Sequence, residues 1–282
     1  MRNYKIATIV IVFTTLCVNA FGQTNKNYFE FKKSGIGKQA MILIPGFACS
    51  GDVWEETIAN FENDYTCYSL TMAGFAGVDP QMNSSFKNWT ISIAEFIKAN
   101  KMEKPIIIGH SMGGGLALAI AADYPDLIEK IIVIDALPCL YALTNPAFKA
   151  NENIDCSASV NQIIAMTDDQ FYQMQKLSIS QILADSTVQE KVLNWSMKSD
   201  RKTFAEMYCN FLNTDLREKI RTIKCPNLIL LESYFSYMKP AIEDQYKNLK
   251  SANLQYSNKG LHFIMYDDKE WYFSQINSFL AP

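Results

Sequence analysis

The chain has 282 residues, is 49% hydrophobic and 12% aromatic, and carries a formal net charge of −3 at pH 7. That length suits one α/β domain with an insertion, or at most two domains, and the apolar content supplies a sizeable core. The absence of a basic stripe, internal repeats and low-complexity stretches excludes nucleic-acid binding, solenoid and disordered classes.

Arg2 and Lys5 precede a largely apolar run from Ile6 to Val18, followed by small residues at Val18-Asn19-Ala20 and Ala20-Phe21-Gly22. This is the order of a secretory signal peptide. The run is too short to cross a bilayer, which takes about 20 residues. Leu16 before Cys17 is too bulky for a lipoprotein site. Residues 1–22 are expected to be cleaved, leaving an exported chain, periplasmic or extracellular in a bacterium, with no stable membrane insertion. Six cysteines then remain, enough for up to three disulfides in an oxidising compartment. Cys139 and Cys156 flank the start of the insertion described below and are a candidate pair; buried free thiols are the competing reading.

Tyr28 to Lys33 alternates aromatic and polar residues and reads as the first strand of the mature chain. Ala40-Met41-Ile42-Leu43-Ile44 is a continuous apolar run, hence a buried strand. It stops at Pro45-Gly46-Phe47, and the loop runs into a helix at Asp52-Val53-Trp54. Such a loop leaves backbone N–H groups free at the strand's C-terminal edge. Tyr65 to Thr71 reads as a strand, Gly74 to Gly77 as a loop, and Ser84 to Asn100 as a helix with Phe86, Trp89, Ile93, Phe96 and Ile97 on one face.

Pro105-Ile106-Ile107-Ile108 then leads into Gly109-His110-Ser111-Met112-Gly113, and an Ala- and Leu-rich helix follows as far as Tyr124-Pro125. G-x-S-x-G between strand and helix is a nucleophile elbow. The turn lifts the Ser111 hydroxyl clear of the sheet and places it at a helix N-terminus, where unpaired N–H groups favour negative charge. The N–H groups of Phe47 and Met112 are the expected oxyanion-hole donors.

Ile131 to Ile134 is another buried strand, ending at Asp135. Residues 138–222 contain no β-rich run and read as a helical cap, inserted between core segments 23–137 and 223–282. Cys225-Pro226 opens a further strand that ends at Glu232. A helix from Lys239 to Lys250, a strand from Asn253 to Ser257, the Gly260-Leu261-His262 loop and an amphipathic C-terminal helix complete the chain. Strand and helix alternate, which predicts a mostly parallel, doubly wound α/β sheet.

A serine nucleophile needs a base, and the chain has two histidines. The elbow turns His110 away from the Ser111 hydroxyl, so His262 is the expected base. Two histidines are too few for a typical zinc site. No metal and no cofactor is expected. The third member is a carboxylate that orients His262, and Asp135 and Glu232 both end strands. Asp267 and Asp268 follow His262 too closely and are expected to start or cap the final helix.

The mature chain resembles the α/β-hydrolases along essentially its whole length. The matching pieces are Ile44-Pro45-Gly46-Phe47, Gly74-Phe75-Ala76-Gly77, Gly109-His110-Ser111-Met112-Gly113-Gly114, the Cys225-Pro226 strand and Gly260-Leu261-His262-Phe263. The family usually places the acid in a Gly-x-Asp loop after the strand that follows the cap. Here that position reads Glu232-Ser233-Tyr234-Phe235-Ser236, with no Asp. Some members, including haloalkane dehalogenases, carry the acid at the end of the strand before the cap. Asp135 matches that position, with Glu232 as the alternative. Dehalogenation itself requires an Asp nucleophile, and the elbow holds Ser111. The resemblance implies a serine hydrolase of a small ester or thioester, and the composition of the cap favours an apolar acyl group. The alternatives are C–C or amide hydrolysis, perhydrolysis, or ligand binding with little turnover. The only partner expected is a small-molecule substrate; the oligomeric state stays open.

Overall fold

The computed structural model describes residues 27–151 and 153–281. The signal-peptide reading of residues 1–22 lies outside the described residues. Among the described residues, seven strands form one sheet: β1 (Phe29–Ser34), β2 (Gln39–Ile44), β3 (Tyr65–Met72), β4 (Ile106–His110), β5 (Lys130–Ile134), β6 (Asn227–Leu231) and β7 (Leu254–Tyr256). Their spatial order is β1-β3-β2-β4-β5-β6-β7. Only β1 runs antiparallel to its neighbour.

The central strands β2, β4, β5 and β6 are almost entirely buried. Their unbroken Ile, Leu and Val runs satisfy a sheet covered on both faces, where alternation would strand polar groups in the core. β1 exposes Glu30, Lys32 and Lys33 at the sheet edge, and such charges discourage strand pairing with another chain.

Helices α1 (Glu55–Phe61), α2 (Phe86–Ala99) and α3 (Met112–Asp123) link the first strands. A short 3₁₀ turn over Gly51–Trp54 precedes α1. Ser85 starts α2 by accepting the Asn88 N–H at 3.1 Å, and Trp89, Ile93 and Ile97 face inward. In α3 every residue from Met112 to Ala122 is buried. The chain goes from β2 to β3 on one side, then crosses to β4 on the other. This reversal opens a crevice at the C-terminal ends of β2 and β4, where ligands bind in such sheets.

After β5 the chain leaves the sheet and forms α4 (Ser157–Ile164), α5 (Asp168–Ile182), α6 (Ser186–Met197) and α7 (Arg201–Leu212). Thr167, Asp185 and Asp200 cap the last three through their side chains. The segment closes on itself, since the Leu216 N–H donates to the Pro138 carbonyl at 2.8 Å. It is tied to the loop after β3 by two bonds: Asp200 N–H to Gly74 carbonyl, 2.8 Å, and Ala76 N–H to Ser199 Oγ, 3.0 Å. The Gly74–Gly77 loop is thus a docking point, with Phe75 fully buried beneath it.

The cysteine pairing differs from the expectation. Cys156 is bonded to Cys209, not Cys139. Cys139 is a buried free thiol whose backbone N–H donates to Gln245 Oε1. The bond joins the N-terminus of α4 to α7, residues 53 apart. A cross-link of that span removes about 4 kcal/mol of unfolded-chain entropy. None of the α4 residues is buried, so α4 depends heavily on this link. Cys156→Ser is expected to lower the melting temperature and to raise amide exchange across residues 157–164 before the rest of the chain. Unchanged protection there would show that α4 is held by packing alone.

Beyond β6 come α8 (Lys239–Tyr246), α9 (Ile264–Asp267) and α10 (Lys269–Leu280). Neither Asp267 nor Asp268 caps α10 through its side chain. Asp267 accepts the Ala184 N–H, and Asp268 accepts the Ser257 hydroxyl. Among the described residues, no helix is long and apolar enough to cross a membrane.

Candidate active site

Ser111 sits between β4 and α3 with φ 53° and ψ −122°. A side chain rarely adopts this conformation, and its surroundings enforce it. A Cβ at Gly109 would collide with the Gly113 carbonyl, and one at Gly113 with the carbonyls of Ile44 and Pro45. The two glycines of the motif therefore let the strand, the turn and the β2 loop share one space. The Ser111 N–H donates to the Ile134 carbonyl at 2.8 Å, pinning the turn to β5. As first residue of α3, Met112 has no intrahelical partner for its N–H.

The loop after β2 lies against the elbow: a Cβ at Gly46 would stand 3.3 Å from Ser111 Cβ. The Cys49 N–H closes this loop on the Gly46 carbonyl at 3.2 Å, with Ala48 at φ 57°. The Phe47 N–H has no hydrogen-bond acceptor among the described residues. The ring of Phe47 packs on Phe75 and Phe204, at 5.1 and 4.5 Å between centroids. Cys49 is buried beside it, and burial pushes its thiol up to about 12. At neutral pH that thiol stays protonated and is a poor nucleophile.

Asp135 and His262 meet across the sheet's C-terminal edge. Asp135 Oδ2 is 2.5 Å from His262 Nδ1, and Asp135 Oδ1 accepts the Glu232 N–H at 2.7 Å. Asp135 is 3% exposed and has φ 46°. With Ser111 and Ala48 it is thus a third non-glycine residue held at positive φ at this edge. Glu232 lines the same cavity, but its carboxylate makes no hydrogen bond to His262. The His262 loop is braced from below. The Ser257 hydroxyl donates to Asp268 Oδ2 and accepts the Gly260 N–H, both at 2.7 Å.

His110 has a role that motif reading missed. Its ring is buried, 4.7 Å from the His262 ring, and its Nε2–H donates to the His262 carbonyl at 2.9 Å. Burial and the neighbouring His262 hold its pKa well below 6.5, so it is a neutral brace. Only its place beside Ser111 hinted at this.

Ser111, Asp135, His262, Glu232, Gly46 and Phe47 share one cavity of about 650 Å³, roofed by α4 to α7. Ser111 and His262 face it together without a direct hydrogen bond. Such bonds commonly tighten only once substrate is bound. Among the described residues, no group of three or more His, Cys, Asp and Glu side chains is placed to hold a metal ion.

Burial favours the neutral form of His262, but the hydrogen bond and charge of Asp135, with the charge of Glu232, outweigh it and raise the pKa above 6.5. Burial, then the charge of Asp135, push Glu232 from 4.5 up to about 7, partly offset by His262. Both folded-state values are raised, so between pH 4.5 and 7 the native chain holds protons that the unfolded chain releases. Stability then decreases as pH rises through this window. The melting temperature is expected to be lower at pH 8 than at pH 5.5, with a smaller drop in Glu232→Gln. Differential scanning calorimetry at both values would contradict this if the drop were absent.

Residues 39–264 match the family model for the alpha/beta hydrolase fold. The chain belongs to this family. It is 22% identical over 202 residues to the pimeloyl-[acyl-carrier protein] methyl ester esterase of Wigglesworthia glossinidia brevipalpis, covering 71% of this chain and 76% of that one. A putative carbamate hydrolase of Serratia proteamaculans is also 22% identical, over 72% of this chain and 76% of its own. Among solved structures, the enol-lactonase from Burkholderia xenovorans superposes with a TM-score of 0.75 at 13% identity, covering 92% of this chain and 98% of that one.

Proposed function

We propose that this protein is an ester hydrolase working through an acyl-enzyme on Ser111, with His262 as base and Asp135 as the orienting acid. The observation that carries the reading is the 2.5 Å pairing of Asp135 Oδ2 with His262 Nδ1 in the same cavity as an elbow serine. With Nδ1–H donated to Asp135, the lone pair of Nε2 is free to act as base. Ser111 Oγ attacks the ester carbonyl carbon as its proton passes to Nε2. The carbonyl π pair moves onto oxygen, which the N–H groups of Phe47 and Met112 receive. The pair returns, the C–O bond to the alcohol breaks, and the alcohol leaves with the proton from Nε2. Water then repeats the sequence on the acyl-Ser111 ester, releasing acid and restoring the serine. The Met166, Met174, Ile179, Val192, Phe204 and Phe211 side chains on the cap lining support an apolar acyl group. The Cys156–Cys209 bond and the signal-like N-terminus support export to an oxidising compartment.

The test is the mature protein against p-nitrophenyl esters of increasing chain length, with fluorophosphonate labelling read by peptide mass. Ester turnover and a label on the Ser111 peptide are expected. No turnover on any ester, with Ser111 unlabelled, would sink the reading.

A further inference from the structure

Of the polar side chains that the cap helices bring to the cavity, Ser159, Gln162, Ser178 and Gln181 are exposed, and a buried polar pair remains that the proposed chemistry does not use. Gln175 on α5 is 9% exposed, Ser196 on α6 is 2% exposed, and both line the cavity. The Ser196 hydroxyl donates to Gln175 Oε1 at 2.7 Å. Their neighbours on the lining include Met174, Ile179 and Val192. Burying an amide among such side chains costs free energy unless its groups are paired. The Ser196 bond satisfies the amide oxygen. The amide NH₂ carries two donors and has no acceptor among the described residues. With its oxygen bonded to Ser196, the amide is left with its NH₂ as the unpaired end.

The charge of the cavity narrows what those donors receive. Among the described residues, no lysine or arginine lines it, and its carboxyl groups are those of Asp135 and Glu232. A carboxylate-bearing ligand would find no lysine or arginine there, and the one ionisable base, His262, is already paired with Asp135.

We propose that Gln175 forms a polar subsite for an uncharged oxygen, such as a ketone, ether or hydroxyl, on the ester arm running under α5 and α6. The substrate is then an oxygen-bearing neutral ester and not a plain fatty ester. This rests on the ester-hydrolase reading above.

Two ester series test it. The first pairs p-nitrophenyl alkanoates with oxoalkanoates and ω-carboxyalkanoates of equal length. The second pairs acetates of alkanols with those of the matching keto-alkanols. In one series the oxo ester should show a kcat/KM roughly tenfold above its plain counterpart, the scale of one hydrogen bond. The ω-carboxy esters should be slowest. Gln175→Leu should abolish the preference. Gln175→Glu keeps an acceptor for Ser196 while removing the amide donors, and should abolish it too, which a packing role would not. Equal rates for oxo and plain esters in both series, or a preference surviving both variants, would overturn the subsite. Binding of 2-heptanone to Ser111→Ala, read by ligand-observed NMR, separates the two readings. Binding lost on adding Gln175→Leu, in a protein that cleaves no ester, would sink the hydrolase reading and keep the subsite. Binding indifferent to Gln175 would sink the subsite.

Discussion

Ser111→Gly is expected to lose essentially all ester turnover and yet to melt at a higher temperature than the wild-type protein. Ser111 is held at φ 53°, a conformation that costs a non-glycine residue on the order of 1–3 kcal/mol. Glycine adopts it without that strain, at an added unfolded-state entropy cost of about 0.5–1 kcal/mol. The Ser111 N–H bond to Ile134 needs no side chain and survives the change. The net gain is about 1 kcal/mol, or about 3 °C for a chain of this size. Turnover should fall by about 10⁴ to 10⁶, as when a nucleophilic serine is removed elsewhere. Calorimetry and an ester assay on the same preparation check both halves. A melting point below wild type would mean that the hydroxyl itself holds the turn.

Asp135→Asn should lower kcat by about 10⁴ with the fold intact. Asn tolerates the left-handed backbone that Asp135 adopts at φ 46°. Its amide oxygen can still receive the Glu232 N–H, as Oδ1 does now. Its NH₂ would then face His262 Nδ1 and force the proton onto Nε2, leaving no base toward Ser111. The Asp135 hydrogen bond and charge that raise the His262 pKa would also vanish, moving the acid limb of the pH–rate profile downward. Glu232→Gln should cost less than about tenfold, because its carboxylate does not touch the imidazole. If Glu232→Gln matched Asp135→Asn in effect, the orienting role would pass to Glu232.

Much of the frame was legible because it rests on local rules. The runs at Ile42, Ile107, Ile132 and Ile229 are buried on both faces of a strand, and nothing but a covered sheet accommodates them. The elbow glycines were legible too, since the close approach of Gly113 to the β2 carbonyls tolerates no side chain. Strand pattern alone left Asp135 and Glu232 level, because both end strands; the family resemblance favoured Asp135, whose carboxylate lies against His262 Nδ1. The disulfide was misjudged for a related reason. Cys139 is nearer to Cys156 in sequence, but α4 folds back on α7, and contact there depends on how four helices stack. Asp268 does stand at the N-cap of α10, as its position suggested, but its carboxylate is taken by Ser257 and that of Asp267 by Ala184. Gln175 carried no signal at all, since a glutamine on a helix ordinarily faces water.

The single bond between Leu216 and Pro138 has a consequence for how this protein can change. Everything between those residues enters and leaves the sheet at one point. Ser111, Asp135 and His262 all stand outside it. A different set of helices with equally close ends can be grafted there, because joining ends that already meet costs little chain entropy. Descendants of this chain can therefore exchange what they recognise in one recombination event and keep the reaction they perform.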